Sequence, residues 1–509
     1  MSAPATTYDE LPYDDKPIWQ THPDNLAAIA TFHGMTPAPP ERCHVLELGC
    51  ASGQNLLAMA MSLQDAHFAG IDRSPRQIAA GVAEVEALRL SNVVLRAMDA
   101  MDLDRSFGTF DYVIAHGIYS WVPRPVQTKI LQICQQNLAP GGVAYISYNT
   151  YPGWHQRGMV RDMMAYHVRK FPDPRTRIEK ARAFVDFLIA GQPPESKATY
   201  GQMIRDEAKL ICDAADSYLF HEHLEEVNEP VYFHEFMARA SAQGLQYVGE
   251  ARPHCPLSLF SANAQAAIRA LAEDPVRQEQ YLDFLRNRTF RWTLLCHQGM
   301  ALDHQPAPER MAGFWLSGLT QPATPDAEVT TNEPLEFRSE NISVSVNQPL
   351  AKATLSELSL AWPLPVAFEA LAQRVRDRLK SAHVSGLTAD NYRPALCSAL
   401  LTFYRSNLVR LGVSSPPFTT EIGEFPRTSA LVRRQAARGQ KYISSLRHTF
   451  VELSDQERLL VSLLNGATDR RALAQEAAPA ANQPDLPPDW LDMTLARLAN
   501  HALLLREPS

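Results

Sequence analysis

Residues 45–55, VLELGCASGQN, have the composition of a loop that holds a nucleotide cofactor. An acid, Glu47, closes a short apolar run, and Gly49 and Gly53 bracket the turn into the following segment. Glycine lets the backbone approach a ligand without a Cβ clash. An acid at the end of a strand can hold an ammonium group directly or through water. Together these features predict S-adenosylmethionine (SAM) as the ligand.

A dinucleotide-binding loop is the competing interpretation of the same segment. That loop requires the pattern G-x-G-x-x-G, with the pyrophosphate at the N-terminus of the helix. Here Ala51 occupies the place of the second glycine, and the acid precedes the loop. Both features favour SAM over a dinucleotide.

Two further acids follow strands in the same way. Asp72 ends the second strand, where a carboxylate accepts hydrogen bonds from both ribose hydroxyls; this excludes a 2′-phosphate but not NAD. Asp99, in MDA (98–100), can accept a hydrogen bond from the adenine amino group, or it can cap a helix instead. We predict no metal ligand. The predicted cofactor-binding residues are Glu47, Gly49, Gly53, Asn55, Asp72, Arg73, Asp99, Ala100 and His116.

A parallel sheet would bring these residues to one edge. Five apolar runs predict strands, at 43–48, 66–72, 92–99, 110–116 and 143–149. Three intervening segments predict helices, at 56–63, 74–90 and 126–138, the last stopped by the LAPGG turn. Alternating strands and helices predict an α/β fold, with ligands at the carboxyl ends of the strands. Strands near 245–251 and 290–297 are expected to complete the sheet.

The rest of the chain divides at segments without periodicity. Residues 300–340 and 414–426 are linker-like, and SDQE at 454–457 is a capping box that opens a helix. The predicted parts are an N-terminal arm (1–40), a SAM-binding core (41–154), a helical insertion with a middle domain (155–300), a linker with an α-rich domain (301–415) and a winged-helix-like domain (416–509).

Composition limits the class of protein. At roughly 150 residues per domain, 509 residues correspond to about three domains. A net charge of −8 argues against general nucleic-acid binding, which needs a cationic surface. Seven scattered cysteines without a CxxC pair argue against a disulfide framework or a zinc module. The N-terminus does not resemble a signal peptide and no stretch reaches the ~18 apolar residues of a membrane span, so we expect a cytoplasmic location.

Several longer strings carry a resemblance to a known family. They are LELGCASGQN (46–55), FDYVIAHGIYSWVP (110–123), ISYNTYPGW (146–154), HEHLEEVNEPVYFHEF (221–236) and NRTFRWTLLC (287–296). The sequence resembles class I SAM-dependent methyltransferases with a methyltransferase regulatory domain, a group that includes the rickettsial-type lysine methyltransferases of outer-membrane proteins. The resemblance covers most of the chain. It implies a Rossmann-like methyltransferase sheet, a protein-lysine acceptor, an outer-membrane or surface protein as a candidate substrate, and a candidate homodimer.

Two segments are predicted to face the reacting methyl group, HGIYSWVP (116–123) and YNTYPGW (148–154), because they follow the fourth and fifth strands. Their aromatic rings would favour a deprotonated amine, since burial disfavours the ammonium form. The alternative is that the tryptophans simply anchor the loops. The candidate acceptor-site residues are His116, Tyr119, Trp121, Tyr151 and Trp154 as catalytic groups, with Tyr148 and Asn149 beside them. Tyr8 and Tyr13 are candidates to roof the acceptor channel.

Other interpretations remain open at this point. The histidine and glutamate residues of 221–235 invite a metal site, but their spacing favours a polar seam between domains. The basic residues of 427–447 are either a solvated helix face or a docking site for an acidic surface. No N-P-P-Y-type motif follows the fourth strand, which counts against base or glutamine-amide methylation. A small-molecule methyltransferase with a lid and a non-catalytic SAM-binding scaffold are the alternative functions.

Overall fold

A seven-stranded sheet forms the centre of the molecule. The structure is a computed structural model, and it describes residues 16–193, 199–252, 260–272, 274–324, 327–339, 342–380, 389–480 and 489–506. Tyr8 and Tyr13 therefore lie outside the described residues. The strands of the sheet are β1 (His44–Leu48), β2 (His67–Asp72), β3 (Val93–Ala97), β4 (Phe110–Ala115), β5 (Leu138–Asn149), β6 (Leu245–Glu250) and β7 (Phe290–His297).

The strand order is β3-β2-β1-β4-β5-β7-β6. The first five strands are parallel, and β7 runs antiparallel between β5 and β6. The two late strands predicted from the sequence thus complete the sheet. This order brings the carboxyl ends of β1 to β4 to one edge, where the predicted cofactor-binding residues begin.

Helices cover both faces of the sheet. The core helices are α1 (Pro23–Phe32), α2 (Gln54–Ser62), α3 (Pro75–Leu88) and α4 (Arg124–Asn137). Successive strand residues point to opposite faces, so Val45 and Tyr145 belong to one apolar core and Leu46 and Ile146 to the other. Ser74 caps α3, as its sequence predicts: its hydroxyl accepts a hydrogen bond from the Gln77 N–H at 3.1 Å.

The fifth strand starts earlier than its sequence predicts. LAPGG lies inside β5 rather than in a turn before it, and the pairing with β4 shifts register between Phe110 and Tyr112. A Cβ added to Gly142 would lie 2.8 Å from the carbonyl oxygen of Asp111. Glycine is needed at 142 because the two backbones approach each other closely, and the neighbouring Gly141 has a left-handed φ of 81° where residues 139–142 bulge out of the pairing.

The predicted helical insertion follows β5. Its helices are α5 (Trp154–Val168), α6 (Pro174–Ala190), α7 (Thr199–Asp213) and α8 (Asp216–His223). They bury an apolar cluster of their own that includes Met164, Ile204 and Phe220. Three further helices flank the last two strands: α9 (Phe233–Ala242), α10 (Ala262–Leu271) and α11 (Pro275–Arg286).

A buried ion-pair network fastens α11 to the edge of the sheet. The guanidinium of Arg291 is fully buried and contacts Asp283 Oδ2 at 2.8 Å and Glu250 Oε1 at 2.6 Å. Arg288 contacts Glu250 Oε2 at 2.8 Å. Removing one partner would leave a buried charge uncompensated, which is strongly destabilising. The network therefore makes the middle domain a fixed extension of the sheet.

The prediction of a linker at 300–340 is wrong, because this region contains short strands. That region and its continuation form an α/β domain rather than a linker followed by an α-rich domain. The strands are β8 (Trp315–Gly318), β9 (Gln321–Pro322), β10 (Leu335–Arg338), β11 (Ser343–Val346), β12 (Val366–Ala367) and β13 (Val409–Gly412). The helices are α12 (Pro349–Ala361), α13 (Phe368–Lys380) and α14 (Ala389–Arg405). The strands between 315 and 338 have two to four residues each, too few to show a clear alternating pattern.

The C-terminal domain contains the helix predicted to begin at the capping box, together with other helices and a hairpin. They are α15 (Ala430–Ala437), α16 (Asp455–Leu463), α17 (Arg470–Ala480) and α18 (Trp490–Asn500), with a hairpin of β14 (Tyr442–Ser444) and β15 (Phe450–Glu452). The capping box at Ser454 and Glu457 is present. Near the C-terminal end, Leu504 and Leu505 form isolated bridges with Thr428 and Phe418. None of the described helices is both long and apolar enough to cross a membrane.

Candidate active site

The loop after β1 has the left-handed backbone that its glycines predict. Gly49 has φ 69° and Gly53 has φ 78°, and Ala51 between them has φ 50°. A Cβ on Gly49 would lie 2.6 Å from Cγ2 of Ile118. The glycine is therefore required, and the alanine in the second glycine position adopts a conformation that L residues rarely take. Something must hold Ala51 in it.

Asp72 holds the loop. Its Oδ2 accepts a hydrogen bond from the Ala51 N–H at 2.9 Å, and its Oδ1 accepts one from the Ser74 N–H at 2.8 Å. The carboxylate at the end of β2 thus ties the cofactor loop to the start of α3. A carboxylate has four lone-pair sites, so ribose hydroxyls can still bind it.

Asn55 orients the acid at the end of β1. Its Nδ2 donates a hydrogen bond to Glu47 Oε1 at 2.8 Å and another to the Thr21 hydroxyl at 3.0 Å. Its Oδ1 accepts a hydrogen bond from the Ile18 N–H at 3.0 Å. Both the Nδ2 and the Oδ1 atoms of Asn55 are therefore hydrogen-bonded to protein groups. The structure places Asn55 behind Glu47 as a positioning residue, although it was predicted to bind the cofactor itself.

Asp99 fills the capping role that its sequence position allows. Its Oδ1 accepts a hydrogen bond from the Met101 N–H at 2.9 Å and so caps a short 3₁₀ turn, Ala100–Asp102. Its Oδ2 lies 3.4 Å from Nε of Arg73. Both side chains remain partly exposed, so the carboxylate and the guanidinium can still meet a ligand at the end of β3.

His116 follows β4 and is kept uncharged. Its Nδ1 lies 2.8 Å from the Tyr145 hydroxyl and 3.3 Å from the Ser147 hydroxyl. Burial lowers the pKa of His116 to about 4. The Gly117 N–H donates a hydrogen bond to Ser147, and a Cβ on Gly117 would have no atom within 4 Å. Open space therefore borders this loop. Tyr145 and Ser147 were not predicted, since strand residues give no such signal in sequence.

Two of the tyrosines proposed for the acceptor site are core residues. Tyr119 is 0% exposed, and its ring meets Phe236 edge-on at 5.2 Å between centroids. Tyr148 stacks on the same phenylalanine at 4.2 Å, and its hydroxyl lies 2.9 Å from that of Thr293. Phe236 belongs to α9 of the middle domain. These tyrosines are positioned to join the middle domain to the loop after β4.

The two tryptophans form an edge-to-face pair with ring centroids 6.3 Å apart. Trp154 opens α5 and is only 3% exposed, whereas Trp121 is half-buried. The geometry agrees with Trp154 as a loop anchor and leaves part of Trp121 accessible. Asn149 is also buried: its N–H donates a hydrogen bond to the Ser120 hydroxyl and its amide to Asn228.

Tyr151 lies in a small polar aromatic cluster that sequence reasoning did not foresee. Its ring stacks on that of His155 at 4.1 Å between centroids and lies 5.2 Å from that of Tyr232. Nε2 of His155 is 3.0 Å from the Tyr232 hydroxyl. Tyr151 is half-buried, so the cluster is partly accessible to solvent.

The histidine and glutamate side chains near 221 interact with one another and with arginines of the helical insertion. His221 Nδ1 lies 3.1 Å from Glu225 Oε1. Burial raises the pKa of Glu222 to about 7 and lowers that of His223 to about 4. Among the described residues, no three of the metal-ligating types are grouped as a metal site would require.

The basic stretch at 427–447 docks on an acid of its own chain. Nε of Arg434 lies 2.7 Å from Glu84 Oε2 in α3, and Arg438 contacts the other oxygen of that carboxylate. Lys441 pairs with Glu452 across the hairpin at 2.8 Å. At least part of the acidic surface that this basic stretch was predicted to bind therefore belongs to the same chain.

Apart from Asn55, which lies behind Glu47, the predicted cofactor residues lie at one edge of the sheet, and their chemistry fits SAM. A carboxylate stands at or just beyond the end of each of β1, β2 and β3, and a Cβ on Gly117 would meet no atom within 4 Å. When bound, SAM supplies an electrophilic methyl group. Glu47 would hold its ammonium group, Asp72 its ribose and Asp99 its adenine.

Three family models match the chain. A methyltransferase domain matches residues 45–142, a predicted methyltransferase regulatory domain matches 215–297, and a PKMT C-terminal winged helix domain matches 424–489. An uncharacterised protein of Rickettsia prowazekii is 33% identical over 479 residues, which cover 92% of this chain and 85% of that protein. A second protein of that organism is 39% identical over 234 residues, 46% of this chain.

The chain is also similar to PKMT2 from Rickettsia typhi, whose structure was determined with AdoHcy. The TM-score is 0.85 at 28% identity, over 97% of this chain and 100% of that one. The chain belongs to the rickettsial-type PKMT family. The predicted methyltransferase fold, the winged-helix domain and SAM as the cofactor of this methyltransferase are thereby confirmed.

Proposed function

We propose that this methyltransferase transfers methyl groups from SAM to lysine side chains of a protein. One observation carries the proposal: the similarity to PKMT2 extends over 97% of the chain, including the regulatory and winged-helix domains, and is not confined to the SAM-binding core. A metabolite needs no such additional surface, whereas a polypeptide acceptor can be gripped by it.

The residues around the open edge suit an amine acceptor. A lysine must lose its proton before it attacks, and its reference pKa is about 10.4. Burial against Trp121 and Tyr151 would disfavour the ammonium form and lower that pKa. His116 adds no positive charge, because burial lowers its pKa to about 4. A charged imidazolium here would repel both the sulfonium and an entering ammonium. We assign Trp121 and Tyr151 the orientation of the amine, and Tyr119 and Trp154 the support of their loops.

The test is transfer of a radiolabelled methyl group to separated cell-envelope and cytosolic protein fractions, followed by acid hydrolysis. We expect label in methylated lysines. Label only in small molecules would instead support a small-molecule methyltransferase. Bound SAM with no label in any fraction would support a non-catalytic scaffold. Asp72→Ala provides the matched inactive control, because it should weaken SAM binding at the opposite end of the site from the acceptor.

A further inference from the structure

The tip of the β14–β15 hairpin enters the cofactor domain. His448 is 4% exposed and has a left-handed backbone with φ 56°. Its Nε2 lies 2.7 Å from Oδ1 of Asn55, a residue 393 positions earlier in the chain. The ring also lies 5.1 Å, between centroids, from that of His22 in the N-terminal segment. The winged-helix domain thus reaches the residue that orients Glu47.

The donors around Asn55 fix the direction of this chain of hydrogen bonds. The Ile18 N–H can only donate, so the atom that it meets must be the carbonyl oxygen of the amide. The NH₂ group then faces Glu47. Because the oxygen also meets His448, the histidine must donate through Nε2–H. Burial lowers the pKa of His448 well below its usual range, so the donor is the neutral imidazole.

Other contacts hold the hairpin in place. Arg434 of the same domain binds Glu84 of α3, and Gln435 Nε2 lies 3.4 Å from Gln54 at the start of α2. Gln435 also accepts a hydrogen bond from the Ser444 N–H at 2.9 Å, at the end of β14. The domain is therefore anchored on the two helices that follow the cofactor loop, and the tip is directed at Asn55.

We propose that His448 is a positioning residue for SAM, and that the winged-helix domain is part of the cofactor site. By donating to Asn55, His448 keeps the amide turned so that its NH₂ group holds Glu47, whose other oxygen then meets the ammonium group of the cofactor. The proposal rests on the assignment of Glu47 to that ammonium group. It does not depend on the identity of the acceptor.

Two ligands separate this role from a merely structural one. AdoHcy carries the ammonium group, whereas 5′-methylthioadenosine keeps the adenosine and lacks the amino-acid part. Dissociation constants for both are measured by calorimetry on the full chain and on His448→Ala, His448→Gln and Glu47→Gln. Lys441→Ala, on the same hairpin but in an exposed ion pair with Glu452, is the matched control.

We expect His448→Ala to weaken AdoHcy about tenfold, the loss of one net hydrogen bond, and 5′-methylthioadenosine less than twofold. His448→Gln, which retains an N–H donor, should recover most of the loss. The ratio of the two affinities is the criterion, because partial unfolding affects both ligands equally. A ratio changed less than threefold by His448→Ala overturns the proposal. An unchanged ratio in Glu47→Gln instead overturns the assignment of Glu47.

Discussion

Asp72 gives the sharpest test of the cofactor site, because one carboxylate there does two things. It accepts hydrogen bonds from the Ala51 N–H at 2.9 Å and the Ser74 N–H at 2.8 Å, and it is assigned to the ribose. Replacing Asp72 with alanine removes the anchor of a loop whose central residue has φ 50°. The loop would then lose its prearranged shape before any ligand arrives.

The size of the effect follows from these contacts. A hydrogen bond to a charged group contributes about 1.5–3 kcal/mol. Losing the loop contact together with the ribose contact, with partial relaxation, should weaken SAM binding by about 3 kcal/mol, more than a hundredfold. Asp72→Asn keeps one acceptor oxygen but turns an NH₂ group toward the second donor. We therefore expect an intermediate loss for it.

Calorimetric titration with AdoHcy, together with thermal unfolding, separates the loop from the helix. Ser74→Ala is the control, since it removes the cap of α3 at Gln77 but leaves the contact between Asp72 and Ala51. It should lower stability by about 1 kcal/mol and leave AdoHcy affinity nearly unchanged. If Asp72→Ala bound AdoHcy within twofold of the original chain, both the loop argument and the ribose assignment would fail.

Three further changes test other parts of the molecule. Trp121→Ala should lower kcat/KM for a protein acceptor at least tenfold without changing SAM affinity; equal losses in both would argue against an acceptor contact. Burial of Glu222 raises its pKa to about 7, from 4.5 when unfolded, so its charge destabilises the fold as pH rises. Glu222→Gln should therefore add about 3 kcal/mol to the urea unfolding free energy at pH 8 and less than about 1 kcal/mol at pH 5. Burial works against ionisation of Glu84, but Arg434 and Arg438 outweigh it and hold its pKa below the usual range. Glu84→Gln should thus lower the thermal midpoint at pH 7, and the difference from the original chain should vanish as pH falls below about 4.

Local patterns in the sequence were enough to predict the cofactor edge. Gly49, Gly53 and Asp72 lie next to strands whose apolar runs are long enough to be recognised, and parallel strands end at a common edge. The cap at Ser74 is equally local, since the hydroxyl and its Gln77 partner are three residues apart. Such features depend on neighbours in the chain, so a single sequence carries them.

The acceptor side could not be predicted to the same depth. From its residue type and position, Tyr119 was predicted to lie beside the methyl group. Its ring is buried instead, because α9 packs Phe236, more than a hundred residues later in the chain, against it. The strands between 315 and 338 were missed because each is too short to alternate visibly. Contacts between residues that are far apart in the chain produce no regular spacing in the sequence, so they cannot be predicted from it.

The part played by His448 illustrates what this organisation does for the molecule. Asn55 bonds to the N-terminal segment through Ile18, to the core through Glu47 and to the last domain through His448. Each of these hydrogen bonds restrains the same Asn55 amide. When one of the three segments is ordered, the amide is already partly fixed, and the other two segments lose less conformational entropy on binding it. On the proposed roles of Glu47 and His448, ligand binding at Glu47 and seating of the hairpin tip on Asn55 would each favour the other. The net charge of −8 does not reveal this contact between domains. It depends on single basic residues such as Arg434, which pairs with Glu84 of the same chain.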